Sequence, residues 1–170
     1  TIFNNSNELM KKIEFFSLEP HQDIPRVEVK DYPKTTPTWD KHIDDEYPTL
    51  RALYNSDDVQ ERYWINECAN ALSKIGKNQD KRYWDRLEEE ARVKKIIGEK
   101  LNTCMFAYPN TLQHYIDLFW QCGSIVGAGS GSSCSGLNHY LLGITQLDHI
   151  KWNLPWFRYM NKERVEIGDI

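Results

Sequence analysis

The stretch SIVGAGSGSSCSGLNHYLL, residues 124–142, decides how the chain is read. Ser124-Ile125-Val126 is a short apolar run suited to a buried strand. Gly127 to Gly136 is a glycine-serine turn, and Leu137 to Leu142 is an apolar run with helical character. A strand, a glycine-rich turn and a helix in that order present consecutive backbone N–H groups to an anion. Glycine removes the side chain and permits positive φ, and the helix N-terminus adds a favourable dipole. Phosphate is the natural guest, and the hydroxyls of Ser130, Ser132 and Ser133 add neutral donors. The pattern lacks the Gly-Lys-Ser/Thr ending of a Walker loop and the spacing of a dinucleotide fingerprint. A flexible Gly/Ser connector is the competing reading of the same composition.

Working outward, the 170 residues are 40% apolar and 12% aromatic, enough to bury a core as one compact domain. The mean hydropathy is −0.67. No run approaches the roughly 20 apolar residues of a spanning helix, and no basic-then-apolar leader opens the sequence, so a cytoplasmic protein without a membrane partner is expected. Cys68, Cys104, Cys122 and Cys134 are widely spaced with no CxxC pair, which predicts reduced thiols. The net charge of −4 argues against a dedicated nucleic-acid-binding module. Clustered metal-binding carboxylates in a catalytic region are compatible with it.

Helical periodicity predicts segments at Ser6 to Phe16, Val59 to Ile75, Gln79 to Ile97 and Thr111 to Gln121. In the second, Trp64, Cys68, Ala71 and Leu72 form one stripe; in the third, Tyr83, Leu87, Val93 and Ile97 face inward. The run Glu88-Glu89-Glu90 reads as a solvated face. The fourth is the most apolar and is expected to be buried on most sides, with His114 and Asp117 sharing a core edge. Pro20 to Pro48, rich in prolines and β-branched residues, reads as a surface loop with an edge strand around PRVEV.

The continuation YLLGITQLDHIKWNLPWFRYMNKERVEIGDI, residues 140–170, carries the most specific signal. It resembles the palm of C-family bacterial-type DNA polymerases, the DNA polymerase III alpha subunit. There a glycine-serine loop leads into a helix ending "YLLGIT", then an Asp, "LLFERFLNPERV" and a strand of alternating aspartates. The matching positions are Gly127, Gly129, Gly131, Ser132, Leu137, Tyr140 to Thr145, Asp148, Leu154, Arg158, Asn161, Glu163, Arg164, Val165, Asp169 and Ile170. Upstream, the segments beginning Asn5 and Tyr83 and the Thr111 helix are similar more weakly. Residues 31–58 read as a divergent proline-rich loop or insertion. Where the family usually has Pro and Arg, this sequence has Ala128 and Ser130; Lys162 and Gly168 replace prolines. Such drift points to a phage or prophage relative.

The resemblance implies an α/β (α+β) fold, helix-rich with a small sheet, as part of a polymerase-beta-like nucleotidyltransferase palm. Residues 1–170 would form a partial palm domain, with the loop and the start of the catalytic strand in 123–170. It implies template-directed nucleotidyl transfer in the parent protein, with a primer-template DNA, an incoming dNTP and further replisome subunits as partners. Gly129, Ser130, Gly131 and Ser132 would bind its phosphates, Arg158 and Arg164 would add positive charge, and Asp169 would begin the catalytic, Mg2+-binding strand. Only Asp169 of that aspartate set is present, so this piece by itself is expected to be inactive. A non-catalytic nucleotide- or phosphate-binding module derived from such a polymerase is the alternative that Ser130 favours, and a structural interaction domain is the one consistent with the net negative charge and the unmatched proline-rich loop.

Overall fold

The computed structural model describes residues 2–14, 23–35 and 46–165, and among these it contains helices and loops only. The helices are α1 (Ile2–Lys11), α2 (Pro48–Tyr54), α3 (Val59–Lys74), α4 (Lys81–Leu101), α5 (Ala107–Gln121) and α6 (Leu137–Leu141). Single 3₁₀ turns lie at Gly131–Ser135 and Trp156–Arg158.

The long helices form where periodicity and capping agree. Asp58 opens α3 with its side chain accepting from the Gln60 N–H at 2.9 Å, and Trp64, Cys68 and Leu72 then line one buried stripe. Asp80 caps α4 in the same way through the Arg82 N–H, and Asn102, in the left-handed region at φ 50°, ends it. Tyr83, Leu87, Val93 and Ile97 are all buried, as their spacing predicts. The two short helices, α2 and α6, each pack against both α3 and α4. They are wedged into the core formed by Leu50, Leu53, Trp64, Leu87, Leu137 and their neighbours. The Trp64 and Phe106 rings meet edge-on at 5.1 Å in this core.

The expected α/β class with a small sheet is corrected by these elements, because no strand forms among the described residues. Ser124-Ile125-Val126 is irregular, and Ile125 is 94% exposed. A strand needs a ladder partner for its backbone groups, and none of the described residues pairs with this three-residue run. The expected edge strand around PRVEV is likewise unpaired. Side chains satisfy its carbonyls instead: Thr111 Oγ1 donates to Pro25 O at 2.7 Å and Gln60 Nε2 to Val27 O at 2.8 Å. Nearby, Arg62 Nε donates to Tyr32 O at 2.7 Å.

The expectations for two helices also change. α1 starts before Ser6, so Ser6 is interior to it, and its Leu9 and Met10 are exposed. α5 begins at Ala107, and only its first turn is buried; Tyr115, Leu118, Phe119 and Trp120 are exposed rather than covered. His114 and Asp117 accordingly lie on an exposed surface. The cysteines Cys68, Cys104, Cys122 and Cys134 are free, and no helix among the described residues is long and apolar enough to cross a membrane.

Candidate functional site

The glycine-serine loop divides into two halves with opposite hydrogen-bonding states. Gly127 to Ser132 are exposed, and their amides donate to no partner among the described residues. Gly129 has φ 145° and Gly131 φ 59°, conformations that L side chains rarely adopt. At Gly129 the space is closed as well: a Cβ there would lie 2.6 Å from Cys134 Sγ and 3.3 Å from the Thr145 side chain. Two carbonyls of this half accept hydrogen bonds, one from outside the loop and one from within it. Gln146 N–H donates to Ala128 O at 2.7 Å, and Ser133 Oγ donates to Ser130 O at 2.6 Å.

From Ser135 to His139 the chain is buried, and a single carboxylate holds it. Glu90, on α4 and 0% exposed, accepts the Leu137 N–H on Oε1 at 2.6 Å. Its Oε2 accepts the Asn138 N–H at 3.0 Å and Asn138 Nδ2 at 2.5 Å. These are the first amides of α6, whose N-cap residue, Gly136, has no side chain to offer. The helix N-terminus that the sequence offers to a phosphate is therefore filled from inside the protein.

Around Glu90 lies a dry polar cluster. Lys94, one turn further along α4 and also 0% exposed, has no hydrogen-bond partner for its Nζ among the described residues, and that atom lies 5.6 Å from the centroid of the Tyr159 ring. Burial pushes its ammonium down to about 8 despite the opposing pull of Glu90. Burial raises the Glu90 carboxyl above its ordinary range, against Lys94 and the three hydrogen bonds from residues 137 and 138. His139 on α6 shares a 2.9 Å hydrogen bond with Tyr159 Oη through Nε2. Burial first, and the nearby Lys94 second, lower its imidazole to about 3. The Tyr159 ring also closes the loop exit, since a Cβ on Gly136 would lie 3.3 Å from it.

Arg158 stands exposed at the end of the Trp156–Arg158 turn, which packs against the Gly131–Ser135 turn of the loop. The structure thus brings the Arg158 segment to the loop. Arg164 is exposed in a turn capped by Asn161 Oδ1, and Lys100 Nζ ties that turn to the end of α4 by donating to Lys162 O at 2.9 Å. Asp169 lies outside the described residues. Among those described, no three His, Cys, Asp or Glu side chains converge on a point, so they do not fit a two-metal Mg2+ centre.

Sequence reasoning missed Glu90 and its neighbour Glu88. The acidic run is not a solvated face: Glu88 accepts the Thr49 and Leu50 N–H groups at 3.0 and 2.9 Å and caps α2, as Glu90 caps α6. The available signal was the absence of a Ser, Thr, Asp or Asn cap before either short helix, where Tyr47 and Gly136 stand instead.

The profile of the bacterial DNA polymerase III alpha NTPase domain matches residues 51–170, and the chain belongs to this family. It is similar to the probable DNA polymerase YorL of Bacillus subtilis (strain 168), with 28% identity over 98% of this chain and 13% of that protein. The DNA-directed DNA polymerase of Bacillus phage SPbeta matches at the same identity and coverage. The DNA polymerase III subunit alpha of Staphylococcus aureus (strain Mu50 / ATCC 700699) is 36% identical over 68% of this chain and 10% of its own length. The chain thus spans 13% and 10% of the length of these curated relatives. No solved structure matches it.

Proposed function

We propose that the chain is the nucleotide-receiving part of a template-directed DNA polymerase, in which the outer half of the glycine-serine loop binds the phosphates of an incoming dNTP. The observation that carries this reading is the division of the loop. Gly129, Ser130, Gly131 and Ser132 are exposed and their amides have no partner among the described residues, while the backbone that follows is fixed from below by Glu90. Consecutive free N–H groups on a pre-shaped turn form an anion receptor that needs no reorganisation when the ligand arrives. Arg158, on the adjoining turn, and Arg164 supply positive charge, a role that Ser130 cannot take over from the family's usual arginine. The family match and the polymerase names of the relatives support the same reading.

Primer-template DNA and other replisome subunits are the partners this function requires. The metal ions of nucleotidyl transfer are assigned to Asp169 by the sequence resemblance; the described residues contribute no site for them. Titration of the chain with dATP, with and without MgCl2, tests the phosphate assignment by NMR. The amide resonances of Gly129 to Ser132 are expected to move, and Arg158→Ala is expected to weaken the effect. Resonances from Gly127 to Gly136 that stay fixed at millimolar dATP would remove the assignment.

A further inference from the structure

The buried pair on α4 gives the loop a fixed floor. α6 has five residues, too few to hold a helical conformation alone, and its N-terminal residue carries no cap of its own. Its first two amides are satisfied by one residue, Glu90, from 47 and 48 positions earlier in the chain. Glu90, Lys94, Leu137, Asn138 and His139 are all fully buried, so neither solvent nor a ligand replaces any of these contacts.

We propose that Glu90 is a positioning residue for triphosphate binding, fixing the inner end of the glycine-serine loop through its hydrogen bonds to Leu137 and Asn138. This rests on the phosphate reading of the loop's outer half. The chemistry follows from donor and acceptor counts. All three groups facing the carboxylate are donors, the Leu137 N–H, the Asn138 N–H and Asn138 Nδ2, so only a residue with two acceptor oxygens satisfies them. A glutamine of the same shape keeps one acceptor and turns an N–H toward the other donors. Because the α6 amides are consumed by Glu90, an incoming phosphate is left to the amides of Gly129 to Ser132. The spacing between those amides and the core is then set by the Glu90 clamp at one end and the Gln146 to Ala128 hydrogen bond at the other.

Glu90→Gln alone leaves the Lys94 charge without its partner, so the decisive variant is Glu90→Gln/Lys94→Met, which removes both charges at nearly constant volume. Glu89→Gln is the control, since Glu89 pairs with Arg86 at 3.1 Å, away from the loop. The full chain is used, at a temperature where circular dichroism shows every variant folded. Two quantities are read: hydrogen exchange at the Leu137 and Asn138 amides relative to α3 amides, and the dissociation constant for dATP from the Gly129 to Ser132 resonances. In the double variant both are expected to rise about tenfold, the worth of one charge-assisted hydrogen bond, while the control stays within about twofold of wild type. Exchange that rises with unchanged dATP affinity makes Glu90 a stabilising contact only and overturns the proposal. So does unchanged exchange at both amides. A wild-type chain that shows no dATP-induced shift overturns the phosphate reading and this proposal together, which separates that failure from the failure of Glu90 alone.

Discussion

α2 and α6 are two short helices capped by the same helix with the same chemistry, yet one cap stands at the protein's edge and the other in its core. Glu88, partly exposed, receives the Thr49 and Leu50 amides; Glu90, fully buried, receives those of Leu137 and Asn138. At the edge, water replaces a lost carboxylate and the cost is that of an ordinary N-cap. In the core nothing replaces it, and removing it also strands the Lys94 ammonium. Burial, more than hydrogen-bond geometry, makes one cap a local contact and the other a fixture of the fold.

Four measurements test this contrast. The largest effect is expected from Glu90→Ala, a loss of about 3–5 kcal/mol in urea unfolding, because it leaves two buried amides unsatisfied and removes the negative charge that offsets the buried Lys94 ammonium one turn away. A loss below about 1 kcal/mol would make the two caps equivalent and end the comparison.

Acid titration comes next. His139 has its folded pKa lowered to about 3 from 6.5, so between these values the unfolded chain takes up a proton that the folded one refuses. Stability therefore falls as pH drops below 6.5, by about 2 kcal/mol from this residue at pH 5. Glu90, with its carboxyl raised, works in the opposite direction. The wild type minus His139→Gln difference in urea midpoint isolates the histidine, and a difference independent of pH would mean the α6 side is wet. Glu88→Ala is expected to cost about 1 kcal/mol. A cost similar to that of Glu90→Ala would show that α2 matters as much as α6. The smallest change belongs where neither device operates: Phe119→Ser, on the exposed half of α5, should stay within about 0.5 kcal/mol in the same assay.

α3 and α4 were legible because their apolar spacing is a local fact, contained within a few turns, although their capping aspartates Asp58 and Asp80 were not singled out. The core residues Trp64, Cys68, Leu72, Tyr83 and Leu87 follow from period alone. The loop was legible in composition and in its glycine requirement at Gly129. What could not be read was contact made across the chain. Ile125 resembles a strand residue in isolation, and only the absence of a ladder partner shows that it is not one. Likewise three consecutive glutamates resemble a wet surface until the uncapped helices that Glu88 and Glu90 serve are folded against them.

That both carboxylates radiate from α4 also makes this helix intolerant of a change in length. Each residue advances the helix by about 100°, so one residue inserted or deleted just ahead of Glu88 would swing Glu88 and Glu90 together away from the amides they serve. α2 and α6 would lose their anchors in a single event. Variation in length should therefore be sought in the connecting loops, while the span of α4 from Asp85 to Lys94 keeps its count.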